Sequence, residues 1–204
     1  MLKVSFILWL MVLLTACGDK APSLSPLTAD SVILAYGDSL TYGYGVNSET
    51  ESYPAVLSQL TGLKVVNKGI SGEISKDGLT RLPAVLAEVN PNLVILCHGG
   101  NDLIRGLGKQ QLKSNLEKMI QLIQSTGAEV MLVAVPNFSL MLSVPELYPQ
   151  VAEAYNVPIQ LDIIRSIETS PKLKSDQIHP NAAGYKLMAE TFNELLLDSG
   201  ALVK

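Results

Sequence analysis

The chain has 204 residues, 15 of them basic and 19 acidic, and its net charge of −4 with no basic run argues against a nucleic-acid partner. That length suits one domain with a substantial core. Two cysteines cannot build a disulfide framework, and the mean hydropathy of +0.28 is raised by the first residues and does not signal a second membrane segment.

In chain order, Met1 and Lys3 lead into an apolar run from Val4 to Leu14, broken only by Ser5. A short basic start and a brief apolar stretch mark a secretory signal, and the run falls short of the roughly 20 apolar residues that span a bilayer. Leu14-Thr15-Ala16-Cys17 then resembles the lipobox of bacterial lipoproteins, in which the cysteine is lipidated and becomes the first mature residue. Residues 1–16 are therefore expected to be a signal peptide, Cys17 the lipidation site, residues 17–29 a tether with two prolines, and residues 30–204 the folded domain. An ordinary signal peptide, or an uncleaved anchor, with Cys17 incidental is the alternative. Several acyl chains on one residue hold a protein firmly on a membrane, so the expected place is the cell envelope, facing the periplasm or the exterior. Lys3 is the only charged residue of the signal, and removing residues 1–16 leaves 188 residues at a net charge of −5.

Beyond residue 30, short apolar β-branched runs alternate with segments of helical period. Strands are predicted at Ser31–Tyr36, Leu63–Asn67, Asn92–Cys97 and Glu129–Val135, with a weaker one at Val157–Leu161. Near-continuous apolar runs indicate strands covered on both faces. Cys97 ends one of these runs, where a buried inert thiol is expected. Helices are predicted from the Ser52 cap to Leu60, from Ser75 to Glu88, from Lys109 to Ser125 and from Ala182 to Leu197. This alternation, with short connections, predicts a three-layer α/β/α sandwich of about five parallel strands, like flavodoxin. In such sheets ligands bind beyond the carboxyl ends of the strands. Gly37-Asp38-Ser39, Gly69 to Gly72, Gly99-Gly100-Asn101-Asp102 and the loop with Asp176 and His179 are each expected after a strand, converging on one rim.

The chain has two histidines. His98 follows Cys97 at a strand end, and a satisfied histidine beneath the glycine loop is the expectation. His179 lies in Asp176-Gln177-Ile178-His179-Pro180, where Pro180 restricts His179 to extended conformations. The Asp-x-x-His spacing can set a carboxylate against one ring nitrogen while the other faces outward, as an acyl-transfer triad needs. A plain helix start, capped by Asp176 or Asn181, fits the same residues. Ser39 stands just past the first strand, with Gly37 permitting a tight turn, although a helix cap would look alike. Gly37-Asp38-Ser39-Leu40-Thr41 lacks the second glycine of the Gly-x-Ser-x-Gly elbow, so a serine hydrolase here needs a different framework.

Gly37-Asp38-Ser39-Leu40, Gly72, Gly100-Asn101-Asp102 and Asp176-x-x-His179-Pro180, in that order, resemble the GDSL-type SGNH hydrolases. The stretches Ser71 to Ser75, Gly78 to Pro83 and Gly99 to Gly106 are similar to the bacterial branch of periplasmic thioesterases, lysophospholipases and arylesterases. The resemblance implies that Ser39 is the nucleophile, His179 the general base and Asp176 its orienting partner. It also implies an oxyanion hole from the Ser39 and Gly72 amides and the Asn101 side chain, with no metal and no cofactor. Gly72 would allow substrate to approach the amide closely, and Asp38 and Asp102 would bond loop amides around the site. Pro136 to Val144 is more apolar and shorter than that branch suggests, and is expected to wall the substrate groove. The implied activity is hydrolysis of carboxylic esters, with acyl, aryl and thioesters as candidate small-molecule substrates. Lysophospholipids, which a tethered enzyme would meet at high local concentration, are physiological candidates. An O-deacetylase of envelope carbohydrate uses the same blocks, and a non-catalytic lipid- or glycan-binding lipoprotein is the alternative of another class.

Overall fold

The computed structural model describes residues 22–138 and 142–203; the signal, Cys17 and residues 139–141 of the expected groove wall lie outside the described residues. The elements run β1 (Val32–Gly37), α1 (Ser39–Tyr42), α2 (Tyr53–Thr61), β2 (Lys64–Gly69), α3 (Ser75–Val89), β3 (Leu93–Cys97), α4 (Gly100–Ile104), α5 (Lys109–Ser125), β4 (Glu129–Val133), α6 (Leu147–Tyr155), β5 (Ile159–Gln160), α7 (Ile163–Glu168) and α8 (Ala182–Asp198). A 3₁₀ turn, Pro171–Leu173, lies between the last two helices.

The five strands form one sheet in the order β2-β1-β3-β4-β5, and every pairing is parallel. This is the flavodoxin-like order, with its switch point between β1 and β3. β1, β3 and β4 are almost wholly buried, as their near-continuous apolar runs require, whereas β2 is an edge strand whose residues are mostly half-buried. Crossover connections, which parallel strands require, divide the helices between the two faces. α2 and α7 pack on α8 along one face, and α3 and α6 pack on α5 along the other.

Local chemistry explains where the elements begin. Ser52 caps α2, its Oγ accepting from Ala55 N, and Pro54 occupies the first turn, where its missing N–H costs nothing. Leu112, Leu116, Met119, Ile120 and Ile123 form the buried stripe of α5. α2 meets α8 through the Tyr53 and Phe192 rings, edge to face at 5.0 Å between centroids and both fully buried.

Two expectations need correction. The tether does not extend to residue 29: from Leu24 onward the chain is docked. Leu24 is 8 % exposed, its N–H donates to Ser199 O, and Leu27 N–H donates to Ala201 O. The loop of Asp176 and His179 does not follow the fifth strand directly, because α7 and the 3₁₀ turn come first. Among the described residues no helix is long and apolar enough to cross a membrane.

Candidate active site

Three strand ends and the start of α8 meet at the switch point. Ser39 begins α1 immediately past β1, and its neighbour Asp38 caps that helix by accepting from Leu40 N at 3.1 Å. His179 precedes the α8 cap, where Asn181 Oδ1 accepts from Gly184 N. Although 140 residues apart, Ser39 Oγ and His179 Nε2 lie 3.1 Å from each other. His179 Nδ1 lies 2.7 Å from Asp176 Oδ2, while Asp176 Oδ1 accepts from the Ile178 and His179 amides, both at 2.8 Å. Burial alone would raise the Asp176 carboxyl, but these backbone and ring donors and the charge of His179 outweigh it and hold its pKa below the usual value. The ring is held from outside as well, since Tyr44 stacks at 4.4 Å with a tilt of 39°. The histidine loop is pinned by Ser175, whose N–H donates to His179 O, and by Asn181 Nδ2, which donates to the Lys172 and Lys174 carbonyls. From the far side, Tyr185 O–H donates to Ser39 O and Tyr44 O.

Gly72 and Asn101 face the same cleft. Gly72 has φ +78°, a left-handed conformation natural to glycine, and a Cβ there would meet nothing nearer than Arg105 Nη2 at 3.7 Å. Backbone conformation, more than crowding, is why glycine stands at 72. The opposite holds at Gly37, where a Cβ would overlap the Cys97 carbonyl, so close strand packing and not a turn excludes a side chain. Among the described residues the Ser39 and Gly72 amides meet no acceptor. Asn101 Nδ2 donates to Glu73 O at 3.0 Å and approaches Asp38 Oδ2 at 3.4 Å.

The cleft between these groups, about 160 Å³, is lined on its apolar side by Leu40, Tyr44, Ile104, Phe138 and Ile178. Of the expected groove wall, Phe138 lines it and Val144 instead packs on the core. Burial raises the Asp38 carboxyl, opposed by the charge of His98 and the Leu40 amide. Asp102 holds the Ser75 amide and hydroxyl at 2.8 and 2.6 Å, so both aspartates do bond loop groups around the cleft.

Sequence reasoning missed the cluster beneath the Gly72 loop. Glu73 receives Arg81 Nε at 2.6 Å and Arg81 Nη2 at 2.7 Å, and Arg81 Nη2 also donates to Lys68 O and Gly37 O. The guanidinium lies 4.1 Å over the Tyr36 ring. His98, fully buried, places Nε2 3.1 Å from Glu73 Oε2, but its Nδ1 has no partner among the described residues, so the expected satisfied histidine is only half satisfied. The cluster joins a loop to α3 and a strand end, a tertiary pairing that no sequence spacing announces. Cys97 is free and buried, and burial pushes its thiol well up, in keeping with an inert side chain.

The family model described as GDSL-like Lipase/Acylhydrolase matches residues 35–187. The chain is 34 % identical over 173 residues to an arylesterase of Vibrio mimicus, covering 79 % of this chain and 86 % of that one. It is 32 % identical over 170 residues to the thioesterase 1/protease 1/lysophospholipase L1 of Escherichia coli (strain K12), covering 79 % and 81 %. The psychrotrophic esterase EstA of Pseudoalteromonas sp., solved with monoethylphosphonate as inhibitor, superposes with a TM-score of 0.74 at 26 % identity, covering 82 % of this chain and 97 % of that one.

The Glu73 cluster carries a pH prediction. Burial raises the Glu73 carboxyl, but the hydrogen bonds from His98 and Arg81 and the Arg81 charge outweigh it, leaving the pKa below the ordinary 4.5. A depressed folded-state pKa gives stability that is fully present above the ordinary value and lost as pH falls through the folded one. Breaking a buried pair typically costs about 3–5 kcal/mol, less for a pair that solvent reaches in part. Glu73→Gln should therefore lower Tm by about 5–10 °C at pH 7. The gap to the parent should shrink as the pH drops below about 4, and scanning calorimetry on both proteins across pH 3–8 measures it.

Proposed function

The chain belongs to the GDSL-like Lipase/Acylhydrolase family, and we propose that it cleaves its carboxylic esters by nucleophilic catalysis from Ser39, His179 and Asp176. The observation that carries this assignment is the relay from Ser39 Oγ to His179 Nε2 at 3.1 Å and from Nδ1 to Asp176 at 2.7 Å, opening on a cleft with unbonded amides. Ser39 Oγ attacks the acyl carbon as His179 Nε2 takes its proton. The carbonyl electron pair moves onto oxygen, where the Ser39 and Gly72 amides and Asn101 Nδ2 receive it. The longer contact of Nδ2, to Asp38, is the one an oxyanion would replace. Collapse breaks the bond to the leaving alkoxide, which takes the proton from His179, and water repeats the sequence on the acyl-enzyme. Asp176, ionised and fixed by two amides, holds the tautomer with the proton on Nδ1.

The cleft sets the substrate class. At about 160 Å³ it falls below the ~300–1,000 Å³ of typical ligand pockets, and its apolar wall suits one acyl chain or aryl ring better than an extended glycan. We assign it acyl and aryl esters, with thioesters as a further substrate class. We further propose that Cys17 is lipidated and holds the enzyme on a bacterial envelope membrane. The support is Leu14-Thr15-Ala16-Cys17 at the end of a short apolar run.

Four outcomes test these assignments. A phosphonate ester of the kind bound by the Pseudoalteromonas enzyme should label the parent at Ser39, by peptide mass, and leave Ser39→Ala unlabelled. The same substitution should lower aryl-ester turnover by on the order of 10⁴–10⁶-fold with the melting curve unchanged; near-parental turnover would overturn the assignment. Asn101→Ala should lower kcat by about 10²–10³-fold with KM little changed, because its amide acts on charge present only in the transition state. Cys17→Ser should release the protein from membranes or trap the precursor, read by fractionation and intact mass; a membrane-bound variant at the mature mass would rule Cys17 out.

A further inference from the structure

The point where the chain enters the fold and the mouth of the cleft lie at opposite ends of the molecule. Leu24 and Leu27 are bonded to Ser199 and Ala201, just past the end of α8, and Ser25 N and Oγ donate to Glu129 at the start of β4. His179 stands two residues before the cap at the other end of α8. The 17 residues of α8, at a rise of 1.5 Å each, therefore set about 25 Å between the catalytic histidine and the entry point. The rim lies farther out, and a domain of this length is about 40 Å across.

Seven peptide steps separate Cys17 from Leu24, so whatever its conformation this stretch spans at most about 25 Å. If Cys17 sits at a membrane surface, pressing the rim onto that surface lifts Leu24 by the height of the domain. The connection is too short by about 15 Å. An anchor formed by the apolar run itself, ending at Leu14, would still reach only about 35 Å.

We infer that the anchored enzyme turns its cleft away from the membrane that holds it. It acts on acyl esters that reach it through water or belong to a facing layer, not on lysophospholipids embedded in its own leaflet. The inference rests on the anchor proposed above. Of seven large apolar side chains exposed among the described residues, Tyr44 and Ile104 line the cleft, and Tyr42, Ile70 and Leu107 lie on the segments that follow β1, β2 and β3.

The test uses the full chain, extracted from membranes and reconstituted in phosphatidylcholine vesicles. A second version carries about twenty Gly/Ser residues inserted after Gly18, enough to exceed the shortfall. The substrate is a fluorogenic long-chain acyl ester that stays in the bilayer, chosen because the detergent-dispersed enzyme cleaves it. With that ester in the enzyme's own vesicles, the insertion should raise turnover at least tenfold. Hydrolysis of a soluble aryl ester should be equal for the two. Equal turnover of the embedded ester by both versions overturns the inference. Intact mass and vesicle flotation separate the two ideas: a protein without acyl mass that does not float refutes the anchor, and the inference falls with it. An acylated, floating protein that already cleaves the embedded ester at the lengthened protein's rate refutes the inference alone.

Discussion

The site depends on one buried charge, the Glu73 carboxylate, and on the guanidinium that neutralises it. A carboxylate with 6 % of its side chain exposed is costly to desolvate unless paired and fully bonded. Arg81 meets that demand with two nitrogens on the two carboxylate oxygens, and its Nη2 still reaches the Gly37 carbonyl at the end of β1 and the Lys68 carbonyl one residue before the end of β2. The planar fork does what a point-charge lysine cannot, binding a carboxylate bidentately with its centre 4.1 Å over the Tyr36 ring. The turn that presents Gly72 is thus fastened from several sides: Glu73 to α3 and His98, the Glu73 carbonyl to Asn101, the Gly72 carbonyl to Arg105, and Ser75 to Asp102. Oxyanion donors act only if already aimed when charge appears, so rigidity in this turn serves the oxyanion hole proposed for Gly72.

Ser39 and His179, the proposed nucleophile and base, are fixed by different means. Ser39 is held by the backbone of a strand–helix junction buried on the sheet, with Tyr185 bracing it from α8. His179 sits on a loop, and its positioning is local, from an aspartate three residues earlier that spends one oxygen on backbone amides and the other on the ring. With 43 % of its side chain exposed, Asp176 exerts a partly screened field on the imidazole. Its contribution in this geometry is orientation and choice of tautomer more than electrostatic stabilisation of the imidazolium.

Where burial dictates sequence, the sequence was readable. The strands β1 to β4 appear as apolar runs and were placed within about two residues at each end, and α5 was placed by its apolar stripe. The four polar blocks were readable because a parallel sheet forces each strand's exit onto one rim. β5 shrinks to two residues, and α7, with six, is too short for a periodic signal. α6 is obscured by Pro149 and by the irregular segment before it. Glu73 with Arg81 was unreadable for a different reason: a loop carboxylate and a helix arginine become partners only after the sheet has brought them together. Gly37 was read as a turn glycine but answers to the Cys97 carbonyl, since a glycine in a sequence does not say whether it is there for a neighbour or for its own φ.

The opposition of the chain's docking point and the cleft follows from the sheet's polarity and not from any special arrangement of this chain. In a parallel sheet every strand starts at one end and finishes at the other, so chemistry placed at the finishing end lies a full strand from where the first strand begins. β1 starts at Val32, eight residues after the chain docks beside the end of α8, and Ser39 follows its far end. The closing helix returns to the starting end and makes Ser199 and Ala201 the dock for Leu24 and Leu27. An anchor attached ahead of the first strand therefore meets the domain at its catalytically silent end. Only a connection longer than the domain is tall could turn the rim back toward the anchor's own surface. Docking from Leu24 onward removes six of the thirteen residues, 17–29, that the sequence appeared to offer for that purpose. Where the chain first docks on the domain is a property visible in the fold and hidden in the composition.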